Sequence, residues 1–165
     1  MRIAGIDAGT EQSALVVYDT NIQNPVFVDF ADNSRIAGIL RCGRIAEVVA
    51  LEWVSFYGKE IHAGSETFQT CRWVGRFQEA WCDKRGEDSA FLITRREVRQ
   101  ELCGTTKAGD AEVRAILIDR FGGKEQAIGT KKQPGPLYTL RSTHLRSALA
   151  VALVHADRIS GLPRP

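Results

Sequence analysis

Residues 2–8 (RIAGIDA) and 13–19 (SALVVYD) are two short apolar runs joined only by Gly9-Thr10-Glu11-Gln12. A four-residue connection is too short for a parallel crossover, so the runs must lie antiparallel as a hairpin. PVFVDF (25–30), alternating and rich in β-branched and aromatic residues, reads as a third antiparallel strand. Asp32-Asn33-Ser34 then offers caps for a short helix over 35–42, and AEVVALEWV (46–54) reads as a largely buried strand. From Gly64 to Cys82, Phe68, Cys71, Val74 (or Trp73), Phe77 and Trp81 recur at three- and four-residue intervals, which predicts an amphipathic helix. SAFLIT (89–94) is a short strand, and Thr94 is placed to cap a helix that runs to Cys103 and ends at Gly104. Another helix is expected over 110–123, capped by Asp110 and stopped by its paired glycines. A basic loop over 124–141, containing Pro134-Gly135-Pro136, leads to a last helix over 142–159. Hairpin-linked strands followed by helix–strand alternation make an α/β chain: a mixed sheet with helices on both faces.

At 165 residues and 18.2 kDa the chain can bury one full core and is too short for two ordinary domains. No stretch approaches the ~20 apolar residues of a membrane span, and the N-terminus reads as a strand, so a cytoplasmic protein is expected. Cys42, Cys71, Cys82 and Cys103 form no C-x-x-C pair and read as reduced thiols. The net charge of +2 is unevenly spread: residues 1–70 hold 5 Lys+Arg against 9 Asp+Glu, and residues 71–165 hold 17 against 11. That asymmetry points to a polyanionic partner on the C-terminal half.

Asp7 is a lone carboxylate inside an apolar strand, where it must neutralise, find a cation or hold a metal. Glu52 interrupts the 46–54 strand in the same way, and acids are rarely buried unless paired. If these strands are neighbours, both carboxylates project at one sheet edge. His144, in the first turn of the last helix, is the third candidate, with Ser147 three residues further along. His155 is about 16 Å beyond His144 along the helix and cannot share the site, and His62 is given no role. Asp7, Glu52 and His144 supply two oxygen ligands and one imidazole without thiolate, a set suited to Mg²⁺ or Mn²⁺. The matching chemistry is phosphodiester hydrolysis. The basic loop feeds directly into the helix that carries His144 and would put phosphate contacts beside the metal.

GIDAGT, ALEWVSFYG, GTTKAGDAEVRAILIDRFG and THLRSALAVALVHAD, in this order and over nearly the whole chain, resemble the RuvC-type Holliday junction resolvases in their phage and prophage form. The resemblance implies a single RNase H-like nuclease domain over 1–165, a Mg²⁺-dependent crossover junction endodeoxyribonuclease acting on branched DNA. It gives Asp7, Glu52 and His144 the catalytic and metal-binding roles. The last acid of the family set falls on Ser147, which supplies no charge and lowers the expected metal affinity. Asp157 lies about 20 Å along the helix from His144, too far to compensate, and Asp110 reaches the site only if its loop folds over. Lys107 sits where the family meets phosphate, and Lys131, Lys132, Arg141 and Arg146 are DNA-contact candidates on charge and position. Phe56 and Tyr57 are candidates for stacking on an unpaired base. The family habit of cutting two symmetric strands implies a homodimer, with the helix over 64–82 and its Trp73, Phe77 and Trp81 as the candidate interface. An alternative is a catalytically weak or inactive resolvase-like domain that binds branched DNA. GIDAGT also resembles the phosphate motif of actin-like ATPases, but those need two such domains and a second Asp-x-Gly-Thr stretch.

Overall fold

The structure, a computed structural model, describes residues 1–55 and 64–161. Five strands, β1 (Arg2–Asp7), β2 (Gln12–Asp19), β3 (Asn24–Asp32), β4 (Val48–Trp53) and β5 (Ala90–Thr94), form one sheet in the order β3-β2-β1-β4-β5. The first three pair antiparallel, as the short turns require, and β4 and β5 add in parallel beside β1. Helices α1 (Asn33–Cys42), α2 (Ser65–Arg85), α3 (Arg95–Cys103), α4 (Asp110–Arg120), α5 (Gly123–Ala127) and α6 (Thr143–Ser160) complete the described chain.

Strand periodicity divides the core into two layers. Ile3, Val16, Ala50 and Ile93 face α6, while Ala4, Ile6, Leu15, Val49 and Leu51 face α1 and α2. Helix α6 is apolar almost all round from Ala148 to Ala156, because the sheet covers one side while α3 and α4 cover the other. Two ion pairs fasten its far end. Arg158 reaches Glu97 at 2.9 Å and Glu101 at 2.5 Å on α3, and Asp157 binds Arg120 of α4 at 2.6 Å. Asp157 therefore has a structural partner remote from His144.

Thr94 caps α3 as its sequence predicts, accepting from the Glu97 amide while Glu97 accepts from the Thr94 amide. Three expectations need correction. Asp110 is the first residue of α4 and not its cap, since the chain turns at Gly109, whose amide donates to Glu112. The paired glycines do not simply stop a helix: the chain re-enters helix as α5, and a Gly129–Pro134 bridge orders part of the segment read as loop. Finally, Phe77 and Trp81 are wholly buried and Trp73 packs against the same cluster, so these aromatics belong to the layer under the sheet. Trp81 Nε1 donates to the Ser89 hydroxyl at 2.8 Å, which satisfies its polar end inside the core.

No helix among the described residues is long and apolar enough to cross a membrane. The four cysteines are free thiols.

Candidate active site

The parallel register pairs Ile6 with Leu51, so the next residue on each strand is an acid, Asp7 on β1 and Glu52 on β4. Equal register means equal parity. Both carboxylates leave the carboxyl ends of adjacent central strands on the α6 face, where open α/β sheets place their sites. Each keeps little solvent contact, with side-chain exposures of 16% for Asp7 and 13% for Glu52.

Gly5 determines how α6 meets this pair. A Cβ there would overlap the Ala148 carbonyl oxygen and stand 2.9 Å from the Ala152 Cβ, so strand and helix touch backbone to backbone. From that contact, Asp7 lies two residues on along the strand, about 6.6 Å. His144 lies one turn back along the helix, about 6 Å. The two meet: His144 Nδ1 and Asp7 Oδ2 share a hydrogen bond at 2.8 Å. Asp7 pairs with Ala14 across the sheet, and Ala14 pairs with Phe30 on β3. The imidazole spans the small Ala14 and stacks on Phe30, with ring centroids 5.8 Å apart and planes 18° from parallel. Phe30 is thus a supporting residue that sequence reading missed.

The turn after Asp7 is equally fixed. Gly9 has no room for a Cβ against the Gln12 carbonyl, its amide donates to Ser13 Oγ, and Ser13 in turn donates to buried Asn33 at 2.5 Å. Asn33 closes the loop by donating to the Gly9 carbonyl at 3.0 Å.

Glu52 has a different setting. Among the described residues it has no hydrogen-bond partner, and its near charge is Arg95 Nε at 3.9 Å. The same guanidinium donates to Asp110 Oδ1 at 2.8 Å, and Arg99 stands 3.8 Å from that oxygen. Burial, and then the charge of Asp7 beside it, push the Glu52 carboxyl up to about 7. Burial also raises Asp7, against the opposing pull of its His144 hydrogen bond. Glu52, Arg95, Asp110 and Ser147 line one narrow cleft, so the α4 start does fold over the Glu52 side of the site.

Next to it lies a second, cationic cleft lined by Arg114, Tyr138, Arg141 and Arg146. Arg141 lies over the Tyr138 ring at 5.0 Å. Arg146 is half-buried and donates to the carbonyls of Leu140 and Arg141 at 3.2 and 2.6 Å, so it also pins the segment before α6. Lys107, Lys131 and Lys132 are exposed. Arg114 was not singled out from sequence, where its charge is one of many on α4. Phe56, Tyr57 and His62 lie outside the described residues. His155 is buried away from the site, packed on Phe91 at 4.0 Å between ring centroids.

No protein-family model matches the chain, and no curated protein matches it. Solved structures do. Thermus thermophilus RuvC aligns with 100% of this chain and 99% of its own, at a TM-score of 0.68 and 22% identity. The chain has the fold of RuvC. The T. thermophilus RuvC structure in complex with a Holliday junction substrate gives a TM-score of 0.68 at 23% identity, again covering 100% and 99%. The fowlpox virus Holliday junction resolvase gives 0.51 at 15% identity, covering 99% of this chain and 100% of its own. The mixed sheet with helices on both faces expected from the strand order is this RuvC arrangement.

Among the described residues no three His, Cys, Asp or Glu side chains already converge as a metal cluster. The donor chemistry nevertheless fits a hard divalent cation. Two mostly buried carboxylates stand at neighbouring strand ends, one of them lacks a hydrogen-bond donor, and an imidazole and a hydroxyl are close by.

Proposed function

We propose that this chain is a divalent-metal-dependent endonuclease that hydrolyses phosphodiester bonds in branched DNA, Holliday junctions above all, as one RNase H-like nuclease unit over 1–165. The observation that carries this reading is the pairing of Asp7 and Glu52 at equal register on adjacent parallel strands of a RuvC fold, with His144 hydrogen-bonded to Asp7. Asp7, Glu52 and His144 are the residues that would hold Mg²⁺ or Mn²⁺. A bound cation would supply a water of lowered pKa and offset charge on the phosphate oxygens.

The chain's own residues do the rest. Phe30 and Asp7 between them fix the plane of the His144 ring, so one imidazole nitrogen stays directed at Asp7 and the other has no partner among the described residues. Arg114, Arg141 and Arg146 line a groove beside the acids that takes phosphate by charge, and Lys107, Lys131 and Lys132 extend the positive surface. Two symmetric cuts at a four-way junction call for two sites, hence a homodimer in the cytoplasm, where DNA is accessible.

The test is cleavage of a labelled four-way junction beside matched linear duplex, with Mg²⁺, Mn²⁺ or EDTA, for the native chain and Asp7→Asn. Paired metal-dependent nicks that vanish in the variant are expected. Tight junction binding with no cut under any metal would replace the nuclease by a binding module.

A further inference from the structure

We propose that Asp110 is the fourth donor of this site and its third acid, presented by the first turn of α4 in place of the carboxylate that Ser147 does not supply from α6. The inference rests on the metal-site reading above and changes which helix completes it. Three observations carry it.

First, Asp110 and Ser147 line the same cleft as Glu52. Asp110 and Glu52 stand against one guanidinium, that of Arg95, which bridges them at 2.8 and 3.9 Å.

Second, helix architecture does not account for Asp110. The α4 start is closed by Gly109 and Glu112, and the Asp110 side chain makes no cap hydrogen bond. Its carboxylate is 51% exposed and bound only to Arg95 and Arg99 among the described residues, an ion pair of the kind that adds little stability. It is free to turn toward a cation without breaking a buried network.

Third, Glu52, with a side chain only 13% exposed, has no hydrogen-bond donor among the described residues, and the charge beside it is the Arg95 guanidinium at 3.9 Å. Buried polar groups in a finished structural cluster are satisfied. This cluster is instead incomplete, with Arg95 serving as its resident counter-ion.

Direct Mn²⁺ binding, followed by the electron paramagnetic resonance signal of free Mn²⁺, tests the proposal without reference to cleavage. The variants are Asp7→Asn, Asp110→Asn, Ser147→Asp and the double variant Asp110→Asn/Ser147→Asp. Asp110→Asn is expected to weaken Mn²⁺ tenfold or more, and the double variant to recover most of that loss. Ser147→Asp is expected to gain far more in the Asp110→Asn background than in the native chain, since the two acids serve one role. Native affinity in Asp110→Asn, beside a loss in Asp7→Asn, would overturn this inference and leave the proposed nuclease standing. A loss that Ser147→Asp does not recover would also overturn it, because two acids that serve one role substitute for each other. Absence of Mn²⁺ binding by the native chain would remove both readings. Should Asp110→Asn fail to fold, Asp110→Ser carries the same comparison.

Discussion

The two carboxylates stand side by side, yet the two halves of the site are built on different principles. Asp7 has a bonded partner: His144 at 2.8 Å, itself backed by Phe30 and set in place by the Gly5 contact. Glu52, slightly less exposed, has among the described residues only a guanidinium at 3.9 Å that it shares with Asp110. One half is positioned by packing. The other is a buried carboxyl with only a long, shared ion pair, and it is pushed up to about 7, while burial raises the Asp7 carboxyl against the pull of its imidazole. The lesson is a division of labour, in which the Asp7 half is held by its own packing and hydrogen bond and the Glu52 half has most to gain from an added cation.

The harshest way to break the contrast is Gly5→Val. Its side chain would drive α6 off β1, so stability should fall by about 3–4 kcal/mol and junction cleavage by more than about a hundredfold. Denaturant unfolding and single-turnover cleavage check both, and an unaltered melt would mean that α6 is not seated on Gly5.

Glu52→Gln probes the other half. A carboxyl raised from its ordinary 4.5 to about 7 leaves the folded state fully favoured below 4.5 and loses that stability as pH rises through 7. In EDTA the Gln variant should match the native chain at pH 4.5 and exceed it by about 2–3 kcal/mol at pH 8. Urea titrations at the two pH values decide, and Mg²⁺ should erase the difference. An equal margin at both would place the Glu52 charge in water.

Arg95→Met removes the shared counter-ion. Its melting point in EDTA should drop by a few degrees, and added Mg²⁺ should raise it by more than it raises the native chain. Equal Mg²⁺ shifts would show that Arg95 does not stand in for a cation. The smallest effect is expected from Phe30→Ala, which loses only a ring contact worth about 1 kcal/mol. Cleavage should fall severalfold with the Mg²⁺ dependence unchanged, and a changed metal dependence would mean the ring reaches further than His144.

Much of this was legible in the chain. A four-residue turn dictates a hairpin, and two acids that interrupt apolar strands announce themselves, because burial of a charge needs a reason. His144 was legible as a polar start to an otherwise buried helix. Phe30 was not, since an aromatic on an alternating strand looks the same whether it meets solvent or a histidine. The apolar stripe of α2 predicts one covered face without saying what covers it, and Phe77 and Trp81 turned out to face the sheet. Asp110 was mistaken for a cap because Asp before a helix is a capping signal, and only the placement of α4 beside Glu52 reveals its other neighbour. Proline and glycine within 124–141 concealed α5 in the same way.

The meeting of β1 and α6 at Gly5 acts as a gauge block. It is made of main-chain atoms and a missing side chain, so the spacing between Asp7 and His144 owes nothing to the identity of residue 147 one position earlier on the helix than Ala148. A serine could enter there without disturbing the alignment of its neighbours. A last charge supplied from α4 in place of α6, as proposed for Asp110, would leave that ruler the same.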